Sequence, residues 1–404
     1  MLALILARAR VNVVLLEKHG DFLRDFRGDT VHPSTLQILD ELGLAERFNE
    51  LPVRRIEVLK LIQSGVAAVV ADFRTLRGRY PYMAQVPQWD FLKLISDEAA
   101  RYPGFTLCMN TEAVGLVREK GAVVGVRVRD ADGEREVRAG LVVAADGRNS
   151  RLRKRAGLAP YDLRIPMDVT MFRISRREDD PDEGLSVRIG DGRIVGVINR
   201  TSYWQMSYET AKGGYARILH DGVAKLRSDV ADLVPFLADR VDEIADVDDL
   251  YSLEVRVDRL RRWHRPGLLF IGDAAHAMSP AGGSGVNLAV QDAVAAANIL
   301  VPSLLEYQRS GRPVPRRALA AVHVRRWLPT VFTQGVQRFL HRVLIARALR
   351  GEQILGRTSP AAVFARVPFL LRLMSTISGV GLVPEHVRVP LVVKPLDDCP
   401  DRTI

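Results

Sequence analysis

Between Gly272 and Ala289 the chain reads GDAAHAMSPAGGSGVNLA, placing an acid, a proline turn and several glycines at spacings suited to holding a ligand. The preceding LLFI, residues 268 to 271, reads as a short strand buried in a parallel sheet. Gly272 ends that strand. Asp273 then stands in the crevice where open α/β sheets bind ligands, able to accept hydrogen bonds from the hydroxyls of a sugar-like chain. Pro280, Gly282, Gly283 and Gly285 let the backbone come close to a ligand, because glycine lacks the side chain that would intervene. The Ala- and Leu-rich segment 286 to 300 continues as a helix, and its free N–H groups and positive dipole end face the turn. A lone GGSG would be only a turn between a core strand and a core helix. The whole pattern is more specific.

A second motif, LVVAADGRNSRLR at 141 to 153, joins a buried-type strand to Asp146, Gly147 and a basic turn containing Ser150, Leu152 and Arg153. The two motifs, in this order, resemble those of the para-hydroxybenzoate hydroxylase family of FAD-dependent monooxygenases, the aromatic-ring hydroxylases. The resemblance implies that Asp273 binds the ribityl chain and that the backbone of Gly285, Val286 and Asn287 meets the pyrimidine edge of the flavin. It places Asp146 and Gly147 near the FAD pyrophosphate, in a segment linked to nicotinamide use. Arg27 matches the family's pyrophosphate-side arginine, with a surface salt bridge as the plain alternative, and Gln88 aligns with a glutamine near the ribityl region.

Families of this kind open with a strand, a GxGxxG loop, a helix and a second strand ending in an acid. This chain opens MLALILARARVNVVLLEKHG, and its first glycine is Gly20. Met1 to about Ala9 reads as the rest of the first helix and Val11 to Leu16 as the second strand. Glu17 takes the position of the acid that binds the adenosine ribose, or else it is an ordinary solvated acid. The expected loop would then precede Met1. Arg10 stands where such a turn favours a left-handed glycine. The opening lacks the basic start and cleavage site of a secretory signal.

The implied architecture is α/β: a Rossmann-like FAD-binding domain without its first strand and Gly loop, an inserted β-rich substrate domain, and a helical carboxyl-terminal extension. Residues 1–157 and 256–330 form the two parts of the FAD domain, 158–255 the β-rich domain and 331–404 the helical region. Residues 112 to 146 read as a β-meander with Lys-Gly and Asp-Gly turns. In the β-rich part, Met171, Tyr203, Trp204, Gln205 and Tyr208 are candidate pocket residues, although alternation lets only some face inward. No acid, base or nucleophile stands out there. The segments VFTQGVQRFLHRVLIARALRG and VFARVPFLLRLMSTISG suit amphipathic helices. Packing over the FAD domain or at a homodimer interface is expected, with peripheral contact to an anionic membrane as the alternative.

Composition agrees with a cytoplasmic enzyme. Of 404 residues, 47% are hydrophobic, enough for a substantial core, and no unbroken apolar run reaches the roughly 18 residues of a membrane span. Cys108 and Cys399 form no disulfide framework, and the eight histidines show no metal-ligand spacing, so His276 is read as a packing residue. The net charge of +10 lacks an accompanying nucleic-acid motif, and attraction of anionic FAD and NAD(P)H accounts for it.

The resemblance implies an NAD(P)H- and dioxygen-dependent hydroxylase of an aromatic or conjugated small molecule, acting through a flavin hydroperoxide and needing no catalytic triad or metal. The alternatives are a flavin reductase or halogenase-like enzyme, and a non-catalytic remnant of the family.

Overall fold

Short aliphatic runs form the strands that carry the site, in a computed structural model that describes residues 1–23, 30–165, 167–355 and 367–391. Strand β1 (Val13–Leu16) pairs in parallel with β7 (Phe105–Cys108). Strand β11 (Val142–Ala144) pairs in parallel with β20 (Leu268–Phe270), whose other edge holds β19 (His264–Arg265). All three residues of β20 are buried, as its unbroken apolar run requires. Ala144 lies opposite Phe270, so the loops that begin at Asp146 and Gly272 leave the sheet at the same edge. Among the described residues the two parallel pieces share no ladder, and Val14 and Leu15 of β1 are 52% and 39% exposed.

Before β1, helix α1 (Leu2–Arg8) buries Leu4 to Arg8, and Arg10 adopts the left-handed conformation at φ 64°. Around this core lie α2 (Pro33–Glu41), α3 (Ala45–Asn49) and α4 (Gln88–Ala100). A small sheet places β6 (Met83–Gln85) between β2 (Thr30–Val31) and β3 (Arg54–Ile56). The expected meander is β8 (Glu112–Glu119), β9 (Ala122–Asp130) and β10 (Gly133–Arg138). Lys120 and Gly121, both at positive φ, make its first turn. Helix α5 (Arg151–Arg155) follows β11.

The β-rich part is a seven-stranded sheet in the order β17 (Tyr251–Glu254), β13 (Met167–Ser175), β16 (Tyr203–Ala211), β15 (Arg193–Asn199), β14 (Leu185–Gly190), β4 (Val58–Gln63) and β5 (Val66–Asp72). Two of these strands therefore come from residues 58–72, so a single cut at residue 157 does not describe this sheet. Strands β12 (Tyr161–Asp162) and β18 (Asp258–Arg259) pair where the chain enters and leaves it. Helices α6 (Gly214–Asp221) and α7 (Ala224–Leu233) cover one face.

Helix α8 (Ser284–Ser310) runs through the core of the first domain, and α9 (Arg316–Leu340) packs along it. By length and composition α8 could cross a membrane, a property that a search for unbroken apolar runs does not detect. Two thirds of its most apolar window is buried inside the fold, so it is a core helix. A π-helical segment, His341–Ile345, continues α9 into α10 (Ala346–Leu349), and α11 (Pro368–Gly379) follows later.

Candidate functional site

The two loops at the shared sheet edge are tied together by arginines. Arg148 Nη2 lies 3.4 Å from Asp273 Oδ2, joining the second motif to the first. Both groups remain partly exposed in the crevice. Arg153 is buried, donating to the carbonyls of Arg148 and Ala274 at 2.6 and 3.2 Å. Asp146 is committed to its own turn: Ser150 Oγ donates to one carboxylate oxygen at 2.5 Å and the Leu152 amide to the other at 3.0 Å. Ser150 in turn caps α5. The side chain of Asp146 thus shapes the loop, and Gly147, at φ 78°, permits its turn.

Across the crevice, Gly282 and Gly283 both adopt positive φ, and Gly283 is the N-cap of α8 with no side-chain cap. A Cβ at Gly283 would sit 3.1 Å from Thr30, whereas one at Gly282 would meet nothing within 4 Å. Pro280 closes this turn by accepting the Gly283 amide at 2.9 Å, and Gly285 sits inside the first turn of the helix. Asn287 is saturated by the protein. Its Oδ1 accepts from the His32 amide and Thr35 Oγ1, both at 2.8 Å, and its Nδ2 donates to the carbonyls of Thr30 and Gly283. Only backbone groups at Gly285, Val286 and Asn287 are therefore left to meet a ligand. His32 lies beneath the loop, and burial pushes its pKa down to about 4, keeping it neutral. A relay connects this loop to the β-rich domain: Arg200 donates to Gln85 Oε1 at 2.8 Å, and Gln85 Nε2 donates to Thr30 Oγ1 at 2.9 Å.

The loop is gripped from behind by α9. Arg326, Thr330, Gln334, Gln337 and His341 share one face by helical spacing and are all buried. Gln337 Oε1 accepts from the Ser279 amide, and its Nε2, with two hydrogens, lies 3.1 Å from each of three acceptors, Ser279 O, Ala281 O and Ser284 Oγ. Gln334 donates to Asp258 O and Ala277 O, and His341 Nε2 lies 2.7 Å from Ser279 Oγ. Arg326 pairs with the buried Asp292 at 3.0 Å. His276 Nε2 approaches the other Asp292 oxygen at 2.6 Å, so His276 is a packing partner, as its sequence context suggested. Burial alone pushes the Asp292 carboxyl up, but His276 and Arg326 hold it below its ordinary value, so it stays ionised. None of the α9 side chains emerged from the sequence motifs. Their polar spacing within an apolar segment was the available signal.

Strand alternation sorts the candidate pocket residues. Trp204 and Tyr208 point to the face covered by α6 and α7, where they bond Asp180 and Asp229. They are core residues of the β-rich domain, not pocket residues. Met171, Tyr203 and Gln205 take the opposite face, along with Ser207 and Glu209. The segment around Ile345 packs on that face. Glu209 is an acid that the sequence reading passed over. Glu17 ends β1, its amide bonded to Cys108 O and its carboxylate accepting the His19 amide, and Gln88 begins α4 after Pro87. Arg27 lies outside the described residues.

A protein family described as an FAD binding domain matches residues 1–312. The chain belongs to that family. It is an FAD-dependent monooxygenase, and several of its relatives are named flavin- or FAD-dependent monooxygenases. It is 32% identical over 346 residues to the 6-methylpretetramide 4-monooxygenase of Streptomyces rimosus, covering 85% of this chain and 81% of that one. The fold is shared with the OxyS anhydrotetracycline hydroxylase of Streptomyces rimosus: TM-score 0.73, 20% identity, 94% of this chain and 72% of that one. It is also shared with the p-nitrophenol 4-monooxygenase of Pseudomonas putida DLL-E4: TM-score 0.72, 19% identity, 93% of each chain.

This monooxygenase presents groups that fit the ribityl and ring portions of FAD. The uncapped start of α8 offers free backbone donors and a positive dipole end to the electron-rich ring edge. Open space lies at Gly282, and Asp273 and Arg148 stand at the strand ends. The pairing of Arg148 with Asp273 adds a cation that the first motif alone did not predict.

Proposed function

We propose that this monooxygenase hydroxylates an aromatic small molecule using NAD(P)H and dioxygen, and that it does so in the cytoplasm. The observation that carries the reading is the uncapped helix start at Ser284–Asn287, facing a glycine loop that α9 clamps from behind. The names of the relatives support an aromatic substrate.

When bound, FAD would carry electrons from NAD(P)H to dioxygen and supply the oxygen-transfer chemistry. The protein's part is positional and electrostatic. Asp273 would accept hydrogen bonds from the ribityl hydroxyls, with Arg148 beside it, while the amides of Val286 and Asn287 would favour negative charge at the ring. Glu17, Arg27, Gln88 and the Asp146–Gly147 turn belong to the ribose, pyrophosphate and ribityl side of the same reading. The inner face of the β-rich sheet would exclude water and orient the substrate.

Purification should yield a yellow protein whose NAD(P)H oxidation accelerates with a phenolic compound and incorporates labelled oxygen from dioxygen into product. NAD(P)H consumption without labelled product would identify a reductase instead, and a folded colourless protein that takes up no FAD would overturn the reading.

A further inference from the structure

Three polar side chains stand at alternate positions on the face of β16 opposite α6 and α7: Gln205, Ser207 and Glu209. Around Ser207 and Glu209 the flanking positions are apolar or glycine. Across β13, Met171 lies opposite Ser207 and Val169 opposite Glu209, while across β15 Ile194 lies opposite Glu209. Gly196, opposite Ser207, makes room for the row, since a Cβ there would sit 2.3 Å from Ser207 Oγ. Ser207 Oγ donates to Glu209 Oε1 at 3.0 Å. Two acceptors in this row, Gln205 Oε1 and Glu209 Oε2, are buried without a partner among the described residues. Sealed acceptors of this kind are costly unless something donates to them. The π-helical segment provides the link to the flavin loop: His341 meets Ser279, and Ile345 packs beside the Met171 cluster.

We propose that Glu209 is the catalytic base that takes the hydroxyl proton of a phenolic substrate, with Ser207 orienting its carboxylate and Gln205 accepting a second substrate donor. This rests on the aromatic-hydroxylase reading above. In the step, the phenol O–H breaks, a carboxyl O–H forms on Glu209, and the electron pair remains on the phenol oxygen. The resulting phenolate is a more electron-rich ring for oxygen transfer. Burial raises the Glu209 carboxyl to about 8, opposed only by the Ser207 hydroxyl and its own backbone amide. A base of that strength is better matched to a phenol than an ordinary carboxylate. The neighbouring strands present Val169, Met171 and Ile194 to it. Arg173, the nearest cation by register on β13, lies at the Gln205 end and stacks on Tyr203.

The test uses the FAD-loaded full chain with 1-naphthol and its methyl ether as probes. Wild type should bind 1-naphthol about tenfold more tightly than the ether, the scale of one hydrogen bond. E209L should bind both alike, while E209Q, still an acceptor, should keep much of the preference. Substrate-dependent oxygenation by wild type should rise with pH through about 8. That inflection should disappear in E209Q and move upward in S207A, which removes the one side chain favouring ionisation. Retained flavin absorbance and melting temperature establish that the variants fold. Equal binding of the two probes by wild type, or an unchanged preference in E209L, overturns the proposal. So does an unchanged pH profile in E209Q. Failure of wild type to oxygenate any phenol would instead strike the reading of function, because the binding comparison needs no turnover.

Discussion

Asp292 Oδ2 accepts the backbone N–H of Gly272 at 3.0 Å, so a buried carboxylate on the core helix α8 holds the turn that presents Asp273. The same carboxylate meets His276 and Arg326. The strand-end loop, α8 and α9 are thereby locked together around one charge. Replacing Asp292 by Ala would leave Arg326 buried with only Glu385, at 3.4 Å, as a counter-charge. A loss of about 3–5 kcal/mol is expected in urea denaturation. FAD release should accompany it, because the Gly272 turn loses its anchor. A variant with unchanged stability would show that the cluster is not coupled to the fold.

Gln337→Leu preserves the volume of the α9 contact but removes its hydrogen bonds to the glycine loop. FAD affinity should fall by about tenfold or more, each lost bond to a buried group costing on the order of 1 kcal/mol. Fluorescence titration of the apoprotein with FAD measures this. Equal affinity would mean that the loop holds its shape without α9.

Gly283 combines a left-handed φ of 61° with a close approach to Thr30. Gly283→Val should weaken FAD binding through both effects, the backbone term alone being about 1–2 kcal/mol. Gly282→Ala serves as the comparison, having similar strain but open space around it. The two variants should therefore differ in affinity, and identical losses would leave backbone strain as the whole explanation.

The folded-state pKa of Glu209 lies at about 8, above its ordinary value of 4.5. The protonated form is therefore favoured by folding, and this contribution is complete below 4.5 and lost as pH rises through about 8. Glu209→Gln, neutral throughout, should gain melting temperature relative to wild type between pH 5 and pH 9. A difference that stays flat across those pH values would show that the carboxyl titrates in its ordinary range.

On the outer side of α9, opposite the buried polar stripe, Val324, Trp327, Leu328 and Phe339 are 70%, 41%, 54% and 62% exposed. Self-association through this face is expected, and Leu328→Glu should weaken it in light scattering. A protein that is monomeric at every concentration but floats with anionic liposomes would assign the face to a membrane surface instead.

Local chemistry made much of the ligand-facing loop legible. Gly282 and Gly283 announce their left-handed turn by residue type, and Asp273 its place at a strand end, because a left-handed turn needs glycine and these ends are where the crevice opens. Asp146 shows the limit of that reasoning: its position matched a cofactor motif, yet both its oxygens serve its own turn. Asn287 is expected from its motif to meet the flavin through its backbone, and the fold gives its side chain a separate task that no motif announced, tying Thr30 to α8. Trp204 and Tyr208 looked like pocket residues by type, and one step of strand alternation sent them to the other face.

The sequence by itself determined the ligand class and the order of the motifs, because backbone conformation and strand-end chemistry are local properties of a few residues. Only the tertiary structure decided which side chains support the glycine loop and which acid is buried on the face of β16 opposite α6 and α7. Gln337 lies 58 residues from Ser279, and Glu209 acquires its raised pKa from burial among Val169, Ile194 and the segment near Ile345. Burial and long-range hydrogen bonds come into being only when the chain has folded, so no spacing along the sequence could encode them.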